Sequence, residues 1–101
     1  MKKTNFYVLR RRNGKIAAEL ENGWSDGNFF YYHTDGGTWF AIHPGCGLSV
    51  CSGCTRKEAA ETANTPQMAE RVAELWARDG ETLAARFEYH INKIEQNKMG
   101  A

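Results

Sequence analysis

No apolar run in this chain of 101 residues approaches the ~20 residues that a membrane-spanning helix needs. Met1-Lys2-Lys3-Thr4 is not followed by an apolar stretch. The expectation is therefore a chain without a signal peptide that works in the cytoplasm. Its three cysteines are an odd number, which argues against a disulfide framework, and in that compartment they would be free thiols. No glycine pattern matches a phosphate-binding loop or a dinucleotide fingerprint, and no Ser or Cys stands in a nucleophile elbow. Nothing in the chain asks for a cofactor or for a catalytic role.

One local absence is more telling. Residues 1–15 contain no acidic side chain, yet they carry Lys2, Lys3, Arg10, Arg11, Arg12 and Lys15. The remaining residues hold seven basic and twelve acidic groups, so the overall net charge of +1 conceals a bipolar molecule. A basic cluster of this kind attracts phosphate or an acidic partner, although short basic runs also occur on surfaces that bind nothing.

Nine of the twelve aromatic residues lie in the first forty positions. Phe29, Phe30, Tyr31 and Tyr32 are consecutive, and successive strand residues face opposite ways. Phe29 and Tyr31 would line one face of a sheet, and Phe30 and Tyr32 the other. Trp39-Phe40 and Phe6-Tyr7 repeat the pattern. A small domain needs one apolar face, so the second is expected to serve as a docking surface, or else to be half-covered rings that only stabilise the sheet.

The chain reads as one domain, residues 1–101, with a sheet part over 1–54 and a helical part over 55–98. Strands are expected at Thr4–Arg12 and Lys15–Leu20, joined by the hairpin signal Asn13-Gly14. A loop around Trp24 spans Asn22–Asn28. Further strands follow at Phe29–His33, Thr38–His43 and Leu48–Cys51. Short connections imply an antiparallel meander. Thr55-Arg56-Lys57-Glu58 fits a capping box for a helix over Arg56–Ala63. Thr65-Pro66 starts a second helix, with Met68, Val72, Leu75 and Trp76 as its stripe. Asp79-Gly80 is expected to break it before Leu83, Phe87, Ile91 and Ile94 continue to about Asn97. An unbroken helix would need a second chain to cover its overhang. The fold class is thus α+β, a five-stranded antiparallel meander followed by two or three helices on one face.

His43, Cys46, Cys51 and Cys54 are zinc-competent ligands within twelve residues. Cys46 to Cys51 would span about 16 Å in extended chain, while zinc ligands must converge to ~2.3 Å. The preferred reading is no metal, with this set as the alternative. Cys51-Ser52-Gly53-Cys54 has redox spacing but lacks the βαβ setting of thioredoxin-like proteins.

Gly47-Leu48-Ser49-Val50 followed by Thr55-Arg56-Lys57-Glu58-Ala59-Ala60 resembles a strand–turn–helix pattern with two settings. One is the arm-type DNA-binding domain at the front of phage integrases. The other is the group of short accessory proteins of phages and conjugative elements, some of which inhibit bacterial defence systems. The second resemblance implies an accessory factor that inhibits or sequesters a host partner. The expected function is a non-catalytic binding protein, homo-oligomeric, that occupies a host protein or a small anionic, nucleotide-like ligand. Arg10, Arg11, Arg12 and Lys15 would supply charge, and Tyr7, Tyr31 and Trp39 contact area. The alternative is a DNA- or RNA-binding module with a basic aromatic sheet, stapled by zinc.

Overall fold

The computed structural model describes the backbone of residues 1–99 and side chains through Gln96. Five strands form one antiparallel sheet in sequence order: β1 (Lys2–Arg12), β2 (Lys15–Ser25), β3 (Phe30–His33), β4 (Trp39–Ile42) and β5 (Ser49–Gly53). Two helices follow, α1 (Arg56–Ala63) and α2 (Pro66–Met99). The α+β meander is as expected from the period of the sequence. Asn13 and Gly14 both take positive φ, 53° and 78°, which is the geometry a two-residue hairpin requires.

The strand β2 runs further than expected. Trp24 belongs to it and pairs with Tyr31, while Ser25 pairs with Phe30. Gly23 makes this possible, because a Cβ there would collide with the Tyr31 carbonyl oxygen and the Phe6 ring. The glycine is a place of close approach within the strand, not a loop residue.

Through that gap the sheet curls on itself. Phe6 of β1 reaches across β2 and stacks on Phe30 of β3, with centroids 4.6 Å apart and planes 7° from parallel. Phe6, Val8, Tyr32 and Ile42 form a buried cluster, with Phe30 and Phe40 against it. The Leu9 amide donates to the Gly47 carbonyl, 2.9 Å, so the outer edge of β1 meets the turn between β4 and β5. The second sheet face is therefore the inside of the curl. The expectation that it is a free docking surface is corrected: the chain's own first strand packs into it, which buries Tyr32 and leaves Phe30 and Phe40 half-buried.

The other face packs against α1. Phe29, Tyr31, Ala41, Ala59 and Ala63 form its core. Thr55 caps the helix by accepting from the Glu58 amide, 3.0 Å, while Glu58 accepts from the Cys54 amide. A polar clasp ties the far end of α1 to the β2–β3 loop. The Tyr31 hydroxyl donates to Asp26 Oδ2, 2.5 Å, and Asn64 Nδ2 donates to the same carboxylate, 2.9 Å. Tyr31 is 0% exposed, and burial together with Asp26 pushes its hydroxyl pKa up. Burial opposes ionisation of Asp26, but its hydrogen bonds from Tyr31, Phe29, Asn28 and Asn64 outweigh that and hold its pKa below the usual value.

Residues 66–99 form one helix, with no break at Gly80. The reason is Trp76, one turn earlier. A Cβ on Gly80 would lie 2.9 Å from the Trp76 ring, so the missing side chain makes room for the indole. The helix also contacts both strands of the long β1–β2 hairpin. Eleven residues per strand give about 36 Å of floor at ~3.3 Å each. At ~1.5 Å per residue the 34-residue helix is about 51 Å long and outruns that floor.

In an ordinary helix interior Gly→Ala stabilises by about 1 kcal/mol. Here Gly80→Ala should give no gain, and a loss of about 1 kcal/mol from forcing Trp76 off its seat. In a Trp76→Ala background the same change should stabilise by about 1 kcal/mol. Denaturant unfolding of the four proteins of this cycle measures both values.

Candidate functional site

The basic hairpin is less available than its composition suggests. Arg10 bridges Glu21 at 2.8 Å and Glu19 at 3.7 Å, and its guanidinium lies 4.9 Å from the Tyr32 centroid. The Arg12 Nε–H donates to both carboxylate oxygens of Glu19, 2.8 Å to each. That bond is the main cause of the lowered Glu19 pKa. These acids alternate along β2 on the same side as Arg10 and Arg12 across the pairing, which a count of residues 1–15 alone cannot reveal. Arg11 and Lys15 are exposed, and no ion pair among the described residues uses them. Tyr7 is half-buried opposite Leu20, whose side chain is 56% exposed. Tyr31, wholly buried, offers no contact surface.

Trp39 lies elsewhere, in a constellation the sequence did not announce. The extra length of β2 puts Trp24 beside it, with centroids 5.5 Å apart and planes at 52°. His33 flanks Trp39 at 4.8 Å. From the first turn of α1, Arg56 places its guanidinium carbon 4.9 Å from the Trp24 centroid, and Lys3 of β1 places its ammonium at 5.9 Å. Met1, Trp24, Trp39, Arg56, Ala60 and Glu61 line an open groove of about 730 Å³, with Thr55 and Lys57. Lys57 is within 3.9 Å of Glu61, whereas neither Arg56 nor Lys3 pairs with a carboxylate among the described residues. Arg56 is half-buried all the same.

This arrangement can stack a planar group and attract an anion. The Trp24 face is already occupied by cations, which disfavours a cationic ligand there. The Thr55 hydroxyl on the rim of the groove is committed to capping α1. The missed residues are Trp24, Arg56 and Lys3. Extended β2 pairing would have found Trp24, but nothing local ties Arg56 or Lys3 to it.

No group of three or more potential ligands converges among the described residues. Cys46 is buried in the turn, the Cys51 thiol points at the Ala59 carbonyl, 3.5 Å, beneath α1, and Cys54 is exposed. Burial pushes the pKa of Cys46 and Cys51 up, which makes them packing thiols. No helix among the described residues is long and apolar enough to cross a membrane. The chain matches no protein-family model, no curated protein and no solved structure.

His43 is half-buried, 4.6 Å from Trp76, and its Nδ1 accepts from the Gly45 amide, 3.0 Å. Burial lowers its pKa from the ordinary 6.5. The unfolded chain then binds more protons than the folded one below that value. Stability is fully present above about pH 6.5 and is lost as the pH falls through the folded pKa. His43→Asn keeps an acceptor for Gly45 without titrating there. Unfolding free energies measured between about pH 7 and 5 should decline less steeply for this variant than for the wild type.

Proposed function

We propose that this protein is a non-catalytic binding protein that sequesters a small anionic ligand with a flat ring, of the nucleotide kind, in the groove between Trp24, Trp39 and α1. One observation carries the reading: a half-buried Arg56 packed on Trp24 with no carboxylate partner among the described residues. A guanidinium so placed has lost part of its hydration and gained no counter-charge. A phosphate beside it supplies that charge, and a base against Trp39 supplies stacking worth about 1–3 kcal/mol. Glu61 on the rim, held by Lys57, favours a ligand whose charge sits on the Arg56 and Lys3 side. The setting as a mobile-element accessory factor draws on the resemblance of residues 47–60 alone.

Adenosine monophosphate titrated into a Trp76→Phe variant should quench the fluorescence of the two groove tryptophans. Adenosine, lacking the phosphate, should bind more weakly. Arg56→Gln and Trp39→Ala should each cost about tenfold in affinity. Unchanged fluorescence at millimolar nucleotide would sink the proposal. Retention of a single-stranded oligonucleotide without any response to the mononucleotide would favour the nucleic-acid alternative instead.

A further inference from the structure

A second recess lies on the opposite side of the hairpin from the buried Phe6 cluster, where the hairpin meets α2. It has a volume of about 290 Å³ and is lined by Leu9, Arg10, Arg11, Ile16, Leu48 and Arg86. The three aliphatic side chains give it an apolar lining, and Arg11 and Arg86 give it charge, while Arg10 turns its guanidinium to the other side of the hairpin, over Tyr32. No acidic side chain lines it. Arg10 is already satisfied by Glu21 and Glu19. Arg11 and Arg86 enter no ion pair among the described residues. They come from elements seventy-five positions apart and share one small hollow. Like charges brought to one hollow without a counter-charge repel, and an anion seated between them removes the repulsion.

The backbone adds an independent indication. Leu9 and Ala18 face each other across the hairpin, and the Leu9 amide points outward to the Gly47 carbonyl. Alternation along an antiparallel strand makes the Arg11 amide, two residues on, point outward as well. It has no backbone partner outside the hairpin among the described residues. An exposed strand-edge amide, two guanidiniums and an aliphatic hollow together match one chemical group. That group is the end of a polypeptide: a carboxylate, a backbone able to pair with a strand edge, and a side chain directly beside them.

We propose that this recess captures the free C-terminal carboxylate of a partner polypeptide ending in an aliphatic residue. Arg11 and Arg86 hold the carboxylate. Leu9, Ile16 and Leu48 hold the terminal side chain, and the β1 edge at Arg11 pairs with the partner backbone. The site shares no residue with the tryptophan groove, so it stands or falls separately from the nucleotide reading.

The test is fluorescence polarisation with a labelled peptide ending in Gly-Val-Leu, as the free acid and as the C-terminal amide. The free acid should bind, and amidation should weaken binding by about tenfold or more. Arg86→Gln and Arg11→Gln should each weaken the free acid by about tenfold and leave the amide unchanged. Both arginines are exposed, so circular dichroism should show both variants folded. Replacing the terminal Leu of the peptide by Ser should weaken it as well. Equal binding of acid and amide overturns the proposal, as does no binding of either at millimolar protein. Hexanoate binding as tightly as the peptide would assign the recess to free small carboxylates and overturn it too.

Discussion

Both the long helix and the curled sheet are anchored on one turn, Pro44-Gly45-Cys46-Gly47. Its two glycines are seats for two rings of α2. A Cβ on Gly45 would lie 2.6 Å from Trp76, and one on Gly47 would lie 2.5 Å from Phe87. Gly47 also takes φ +71°, a conformation other residues reach only at a cost. Its carbonyl receives the Leu9 amide of β1, and its amide donates to the His43 carbonyl, 2.9 Å. Cys46, buried between the two glycines, fills the centre. First strand, last hairpin and last helix thus meet at four residues.

That junction explains which parts of the molecule are legible in the sequence. The hairpin at Asn13-Gly14 and the cap at Thr55 are local devices, and local chemistry announces them. Gly23, Gly45, Gly47 and Gly80 read in sequence as turn or breaking signals. Two of them, Gly23 and Gly80, instead sit inside a strand and a helix, because an aromatic ring or a carbonyl from elsewhere in the sequence or one turn away needs the space. The same blindness hid the groove. Trp24 looks like a loop residue until β2 is extended, and Arg56 looks like a routine residue of a capped helix. Basic residues were easy to count, but the strand pairing that sets Arg10 and Arg12 beside Glu19 and Glu21 decides which of them remain free.

The burial of the second sheet face changes where a ligand could be held. A flat aromatic sheet would have offered a broad, weakly specific platform. Curling puts Phe6, Phe30 and Tyr32 to structural use and leaves a smaller set of rings, Trp24 of β2 and Trp39 of β4, where the sheet face meets α1. Those rings sit on two strands that flank β3, under a helix clasped by Asp26, Tyr31 and Asn64. Arg56 is carried by that same helix, so its position over Trp24 is set by the fold. Preorganisation of this kind reduces the ordering cost of binding a small ligand.

The role of the turn as the anchor is open to a direct comparison of two glycines. Gly14 and Gly47 both have positive φ, but nothing lies within 4 Å of a Cβ on Gly14. Alanine at either position carries the same backbone penalty of about 1 kcal/mol. Chemical denaturation should show Gly47→Ala losing about 2 kcal/mol more than Gly14→Ala, with the excess disappearing when Phe87 is also replaced by Ala. Equal losses for the two alanine variants would mean that α2 does not depend on that seat, and would contradict the account.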